Sequence, residues 1–470
     1  MINKRVFVLG IDGAPPQFVF DRWIDELPNL KKLMWEGAWG KIQTTIPPQT
    51  CNAWTSFFSS KDASDINIYS YLQRNEWEYQ EKGLINSTVI KENMIWDILT
   101  ENSKKSYVIG VPITYPIRNK INGAMITDFM SPEFYEKSVY PVEFMQEVKN
   151  IIGKDYMFDV NVGLASYKNL GKETLLEKTY EMTRQQFKIM EHLIKKNDWD
   201  FAALVLIGSD RLLHTLWSFM DEEHRNYVES EYKNAIKDYF VYIDKELGKI
   251  LSLIGENTTI IVSSDHGMDK MNFRFNLNDW LIEEGYLVLK EKLEKPTKFN
   301  SNLIDWEKTR VYSLGSYFGR IHINLKNREP NGIVNSEEYN SLLEELKNKL
   351  LQIKGDRGQE MNNQIYFTRE LFDGKYADYA PDIFVYFDNL ITGTNSEIGN
   401  NKLYSNETQI GKDDAGHAPL GIFVIKDSEN KIRGNLGNVS IYDVMPTILK
   451  ELNLEIPKNL RGTPIENEQN

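Results

Sequence analysis

Thr259-Ile260-Ile261-Val262-Ser263-Ser264-Asp265-His266-Gly267 is an apolar run closed by two residues that can ligate a metal. The run is β-branched, short and flanked by small residues, so it reads as a buried strand rather than a helix. A carboxylate and an imidazole just past a strand end stand where open parallel sheets bind their ligands. The same arrangement recurs along the chain. Asp12 follows Val6–Ile11, and Asp210 follows Phe201–Ile207 after Gly208-Ser209. His417 lies in Asp413-Asp414-Ala415-Gly416-His417, just before Gly421–Ile425. If the sheet forms, Asp12, Asp210, Asp265, His266 and His417 converge on one edge.

Asp210 and His214 are four residues apart, so a helix beginning at Ser209 places both on one face, one turn apart. The chain has 6 His, and half of them fall in this set. Three Asp and three His can be grouped into two metal sites: Asp210, His214 and His417 in one, Asp12, Asp265 and His266 in the other. Mixed Asp/His ligands suit zinc, with manganese or iron as alternatives. Paired metal ions are a standard solution for phosphoryl transfer. Taken singly, each residue has a plainer reading. Asp after a strand is common in any α/β protein, and a lone His is more often a surface or core residue. The set in this order carries the metal reading.

Pro47-Pro48-Gln49-Thr50-Cys51-Asn52-Ala53-Trp54 supplies a hydroxyl. Threonine is a poor nucleophile until a base or metal lowers its pKa. On the second ion, Thr50 could attack phosphorus and would count as a metal ligand itself. The plainer role is a cap on a helix through Ala53–Ser59. Both are compatible, since a helix N-terminus also favours phosphate.

The alternation of short apolar runs with amphipathic stretches predicts an α/β fold. It is a doubly wound, mostly parallel central sheet flanked by helices, with an inserted cap subdomain. Further buried strands are expected at Tyr107–Val111 and Ile383–Phe387. Helices are expected at Leu27–Glu36, Thr174–Lys195, Glu229–Ile254, Ser336–Ile353 and Ile441–Leu452. Pro28 and Gly37 bracket the first of these helices in the usual sense. The core is expected to comprise 1–285 and 380–470. The cap is expected over 286–379, with strands at Arg310–Leu314, Arg320–Leu325 and Gln364–Phe367. Residues 131–173 are irregular and could also lie over the site.

Composition bounds the partners. The chain has 470 residues with 41% hydrophobic and 12% aromatic residues, enough for a sizeable core. A net charge of −13 argues against nucleic-acid polymers and anionic membranes. It leaves room for a small phosphoester or nucleotide, because bound cations invert the local potential. No run is long enough to span a membrane. The single cysteine, Cys51, allows no intramolecular disulfide. Val6–Ile11 is too short for a signal peptide core, which predicts a cytoplasmic protein.

With these pieces assembled, the chain resembles the alkaline phosphatase superfamily, and within it the type I phosphodiesterase/nucleotide pyrophosphatase branch. The matching stretches are Leu9-Gly10-Ile11-Asp12-Gly13, Pro47-Pro48-Gln49-Thr50, Asp210-Arg211-Leu212-Leu213-His214, Ser264-Asp265-His266-Gly267-Met268 and Gly416-His417. Gly110-Val111-Pro112-Ile113-Thr114-Tyr115-Pro116, Ala380-Pro381-Asp382 and Asp443-Val444-Met445-Pro446-Thr447 extend the likeness over nearly the whole chain. The resemblance implies an alkaline phosphatase-like fold, two Zn2+ ions and a phosphothreonine intermediate. It thereby implies hydrolysis of phosphodiesters or phosphoanhydrides.

The chain departs from the family near the nucleophile. Asn52 stands where relatives usually carry Pro, and Ala53 where nucleotide pyrophosphatases often carry an Asn that holds a phosphate oxygen. Asn52 could take over that contact.

Rivals share the metals. A sulfatase would need Cys-x-Pro-x-Arg, and Cys51-Asn52-Ala53-Trp54-Thr55 lacks it. A phosphomonoesterase, phosphonate hydrolase or phosphomutase would need an extra cation near the phosphate, for which Arg211, Lys61 and Arg74 are the candidates. A non-catalytic metal-binding relative would be favoured by a missing ligand, and none is missing. Trp54, Tyr69, Tyr71, Trp77 and Tyr79 could stack a nucleobase, against the plainer reading that they pack a core.

Overall fold

A computed structural model describes residues 4–467 other than 73, 75, 76, 162–165, 316 and 407–412. Its centre is a nine-stranded sheet. The strands in chain order are β1 (Arg5–Ile11), β2 (Ala38–Gln43), β3 (Ser106–Ile109), β4 (Gly123–Ile126), β5 (Val139–Tyr140), β6 (Phe201–Leu206), β7 (Thr258–Ser263), β8 (Leu420–Lys426) and β9 (Gly434–Ser440). Across the sheet they run β9-β2-β8-β7-β1-β6-β3-β4-β5. β1 pairs in parallel with both β6 and β7, and β3 with β4 and β6. β8 runs antiparallel between β7 and β2.

The central strands are near-continuous apolar runs because both faces are covered. Phe7, Leu9 and Ile11 of β1 enter one core, and Val6 and Val8 enter the other. β6 divides in the same way, Ala202, Leu204 and Leu206 against Phe201, Ala203 and Val205. The first core lies under the helices Pro28–Glu36, Lys172–Lys195, Gly208–Met220 and Ala235–Leu253. The second lies under Thr50–Ser59, Ile95–Glu101 and Val444–Glu451. This is the doubly wound, alkaline phosphatase-like arrangement expected. Among the described residues no helix is long and apolar enough to cross a membrane.

A second sheet of four antiparallel strands joins Val311–Ser313, Gly319–Ile323, Ile383–Tyr386 and Gln364–Phe367 in that spatial order. The helix Ser336–Leu351 buries Leu342, Leu343, Leu346 and Leu350 in the same core. That core draws on both sides of 286–379, with Tyr79 and Phe275 before it and Ile383 to Ile398 after it.

The strand at Ile383 corrects the expected assignment. Its apolar run predicts a strand of the central sheet, yet it pairs with Gly319–Ile323 and Gln364–Phe367. Ile383, Val385 and Phe387 enter the second sheet's core, while Phe384 and Tyr386 enter a separate cluster with Tyr69 and Phe318. Burial on both faces gives the run the apolar continuity of a central strand. Asp382 fixes it: its carboxylate takes Arg328 in a two-pronged pair, the Tyr339 hydroxyl and the Ile323 amide.

Candidate metal centre

Topology assembles the site. β7, β1 and β6 are adjacent and parallel, so the residues after their C-terminal ends lie side by side: Asp265 and His266, Asp12, and Asp210. β8 is antiparallel to β7, which brings the segment before it to the same edge. There Ala415–Ala418 pairs with Gly267–Lys270, His417 opposite Met268. β2 runs in the same direction as β7, so the loop that follows it delivers Thr50 to this edge as well.

All three histidines are held alike. Each Nδ1 lies on a backbone carbonyl: His214 on Ala415 at 2.8 Å, His417 on Pro48 at 2.8 Å, His266 on Gly267 at 2.9 Å. Donation there puts the ring proton on Nδ1 and leaves each Nε2 lone pair facing the cluster, as metal-ligating histidines require. The carboxylates are held in the same way. Asp12 Oδ2 accepts from Trp54 Nε1 at 2.8 Å, Asp210 Oδ2 from Arg211 Nη1 at 2.9 Å, and Asp265 Oδ1 from the Gly13 amide at 3.2 Å. Their other oxygens, Asp12 Oδ1, Asp210 Oδ1 and Asp265 Oδ2, are buried and accept no hydrogen bond from the described residues.

The inward atoms crowd together. His214 Nε2 is 3.2 Å from Asp210 Oδ1 and 3.3 Å from His417 Nε2. His266 Nε2 is 3.2 Å from Asp265 Oδ2 and 3.7 Å from Asp12 Oδ1. Among the described residues, two groups have ligand atoms within 4.8 Å of one another: Asp210, His214 and His417, and Asp12, Asp210 and His266. Asp210 belongs to both. Three orphan carboxylate oxygens and three imidazole lone pairs at these distances are uncompensated in a dry site. Cations fit this donor set.

The electrostatics agree. Burial, then Asp265 and Asp210, raise the Asp12 carboxyl well above its usual range. Burial raises Asp265 too, with Asp210 adding to it and the Gly13 amide opposing. Burial works against Asp210 as well, but opposite charge beside it, Arg211 included, outweighs burial and holds that carboxyl low. Burial pushes His266 down to about 4, and burial with the neighbouring imidazoles holds His417 low. Both rings are therefore neutral ligands at neutral pH.

A stability prediction follows with a definite sign. Asp12 and Asp265 have raised carboxyls in the folded, metal-free chain. Their contribution to stability is complete below the unfolded value near 4 and is lost as pH rises through the folded values. Cations replace the lost protons. The gap in melting temperature between zinc-loaded and metal-stripped protein should therefore widen from pH 4.5 toward pH 8. Thermal melts across that range measure it, and a constant gap contradicts the reading.

Local sequence explains the supports. A Cβ on Gly10 would come within 2.4 Å of Trp54, so glycine makes room for the ring that bonds Asp12. Gly13 has φ +69, a left-handed conformation in which its amide meets Asp265. Thr50 opens the helix Thr50–Ser59, and Gln49 holds the cap position instead. The Thr50 hydroxyl is 3.3 Å from His266 Nε2, and the positive end of the helix stands beside the carboxylates. Tyr71, half-buried, adjoins Thr50, and burial keeps its phenol protonated.

Asn52 does not join the cluster. Its Nδ2 donates to Pro47 O at 3.2 Å and its Oδ1 takes the Ser56 hydroxyl at 3.4 Å. Two positions along a helix turn a side chain by about 200°, so Asn52 faces away from where Thr50 points.

The candidate cations separate. Arg211 bridges Asp210 and Asp159, with the rings of Tyr167 and Phe129 against its guanidinium. Lys61 pairs with Glu92 at 3.3 Å, and Arg74 with Glu329 at 2.6 Å. Trp54, Tyr69 and Tyr79 are core residues, and Trp77 stacks on Tyr379.

Sequence reasoning missed a second ring of contacts. Tyr317 stacks on His417 and His214, with ring centroids 5.1 and 5.3 Å apart. Behind it, Asp413 pairs with both Lys168 and Arg274 and lies 3.5 Å from His214 Nδ1. Asp413 stood in the quoted loop, but nothing in the local sequence pointed to Lys168, Arg274 or Tyr317.

A doubly wound sheet with a buried cluster of carboxylates and imidazoles at its C-terminal edge has the alkaline phosphatase-like fold. Residues 6–406 match the profile of the family described as type I phosphodiesterase / nucleotide pyrophosphatase, and the chain belongs to that family of hydrolytic enzymes. Solved structures of the same fold include two relatives. Murine ectonucleotide pyrophosphatase / phosphodiesterase 5, an inactive threonine-to-alanine variant in complex with AMP, is 12% identical. Each chain is covered to 97%, with a TM-score of 0.56. Phosphonoacetate hydrolase from Sinorhizobium meliloti 1021, in complex with phosphonoformate, is 13% identical. Coverage is 96% of this chain and 95% of that one, with a TM-score of 0.58. No curated protein sequence matches the chain.

Proposed function

We propose that this chain hydrolyses phosphodiester or phosphoanhydride bonds of small substrates such as nucleotides, with Thr50 as nucleophile and two divalent cations, zinc for preference. The observation that carries the reading is the Thr50 hydroxyl 3.3 Å from an imidazole of a cluster whose orphan oxygens call for cations. Asp210, His214 and His417 would hold one ion. Asp12, Asp265, His266 and Thr50 would hold the other, with Asp210 within reach of both groups. Cations bound there would supply acidity to the Thr50 hydroxyl and charge stabilisation at phosphorus.

The chain's own residues do the rest. Thr50 Oγ forms the bond to phosphorus as the leaving group departs, and water then cleaves the phosphothreonine. The helix that Thr50 opens adds its positive end to the phosphoryl oxygens. The protonated Tyr71 phenol adjoins Thr50 and would donate to a nonbridging oxygen in place of the amide expected from Asn52. AMP in the murine relative supports a nucleotide-like substrate.

The expected result is faster hydrolysis of bis-p-nitrophenyl phosphate than of p-nitrophenyl phosphate by zinc-reconstituted protein. A preference for the monoester would move the enzyme to phosphomonoesterase, phosphonate hydrolase or mutase chemistry, with Lys168 and Arg211 the cations to examine. Tyr71→Phe should lower kcat by about 10- to 100-fold with metal content unchanged, the usual range for losing one oxyanion donor or somewhat below it. An unchanged kcat would remove Tyr71 from the mechanism.

A further inference from the structure

A pocket at the seam between the two sheets lies outside the metal centre. Ser70 and Leu72 line one wall, from the segment that carries Tyr71 to Thr50. Arg320 and His322 line the other, from the second sheet, with Arg74 and Tyr379 completing it. His322 is 3% exposed and stacks on Tyr312 with centroids 5.1 Å apart.

The tautomer of His322 is fixed by its neighbour. Arg74 Nη1 is 3.2 Å from His322 Nδ1. A guanidinium only donates, so Nδ1 is the acceptor and the proton of the neutral ring sits on Nε2. Burial, with Arg74, Arg320 and Arg328 around it, keeps the ring neutral. His322 Nε2 is thus a buried N–H donor, and it has no acceptor among the described residues. Leaving such a donor unmatched costs on the order of 1–3 kcal/mol.

The groups around that donor are donors too. Arg74 gives its Nε to the Glu78 carbonyl at 2.7 Å, its Nη2 to Glu329, the Tyr312 hydroxyl and the Trp77 carbonyl, and one Nη1 hydrogen to His322, and Arg320 is held by both oxygens of Glu81 and by the Leu314 carbonyl. That leaves one Nη1 hydrogen of Arg74, and the Nε and second Nη1 hydrogens of Arg320, to give. Ser70 Oγ accepts from the Leu72 amide at 3.2 Å, which leaves its own proton to give. The one carboxylate of the lining, Glu81, is engaged by Arg320.

We infer that this pocket is a second ligand site, which takes the oxyanion end of a small molecule, carboxylate or phosphoryl, on His322 Nε2 with the remaining N–H groups of Arg74 and Arg320. An occupant would bridge the segment carrying Tyr71 to the second sheet. The site is independent of the hydrolytic reading, since none of its residues belongs to the metal centre.

Crystals of the protein as purified, soaked separately in sodium selenate and sodium malonate, test it. The expected result is an oxyanion in the pocket with an oxygen roughly 2.7–3.2 Å from His322 Nε2, located for selenate by its anomalous signal. Selenate alone would identify a phosphoryl reader, and malonate alone a carboxylate reader. In H322F the same soaks should show the density lost. A wild-type pocket that holds only water in both soaks would overturn the proposal, as would undiminished occupancy in H322F. Should H322F fail to fold, the wild-type soaks decide by themselves.

Discussion

Thr50→Ala is expected to lower phosphodiester turnover by at least about a thousandfold, the scale of removing a covalent nucleophile, with the fold and the metal content retained. The substitution removes the hydroxyl and one buried methyl group. Thr50 is buried at the first turn of its helix, where Gln49 holds the cap, so no helix cap is lost. The site's other supports stay in place, since His266 is positioned by Gly267 and Asp12 by Trp54. The stability cost of losing one hydrogen-bonding group is about 1 kcal/mol, within reach of a thermal melt. Turnover near the wild-type rate would show that another group attacks phosphorus.

Asp210→Asn should have the largest effect on metal content. Asp210 alone among the carboxylates belongs to both groups of converging ligand atoms. Its loss removes a ligand and a negative charge. It also leaves Arg211, which bonds Asp210 Oδ2 at 2.9 Å, pressing its charge on the site with only Asp159 to balance it. Affinity for at least one ion should fall by more than about 100-fold, the upper end of what losing an outer partner of a metal ligand costs. Asp265→Asn should lose less, because Asp265 adjoins only the His266 group and keeps the Gly13 amide. Metal analysis by mass spectrometry of dialysed variants measures both. Full occupancy in Asp210→Asn would contradict the shared role.

The legible part of this site is the part encoded next to strands. Asp12, Asp265 and His266 sit immediately behind buried apolar runs, and Asp210 and His214 share a helix face at a spacing of four. A single pass along the chain therefore finds them, and β7-β1-β6 adjacency does the rest. The illegible part is contact between segments distant in sequence. Tyr317, Lys168 and Arg274 meet Asp413 only because the second sheet, the segment 166–170 and the short strand Phe273–Phe275 converge on the edge.

Proximity in sequence also misled in one place. Asn52 is two residues from Thr50, but helical rotation turns it to Pro47. In the fold, Ile383–Tyr386 imitated a central strand because two small cores bury its two faces. β9 escaped notice because Gly434-Asn435-Leu436-Gly437-Asn438 reads as turn chemistry, which an exposed edge strand tolerates.

The most direct test of the account is an acid quench of zinc-reconstituted protein during turnover of bis-p-nitrophenyl phosphate, followed by peptide mass spectrometry. The account predicts an aryl-phosphoryl or phosphoryl adduct on the peptide carrying Thr50, absent from Thr50→Ala. Turnover with no adduct, or an adduct on another residue, would contradict it.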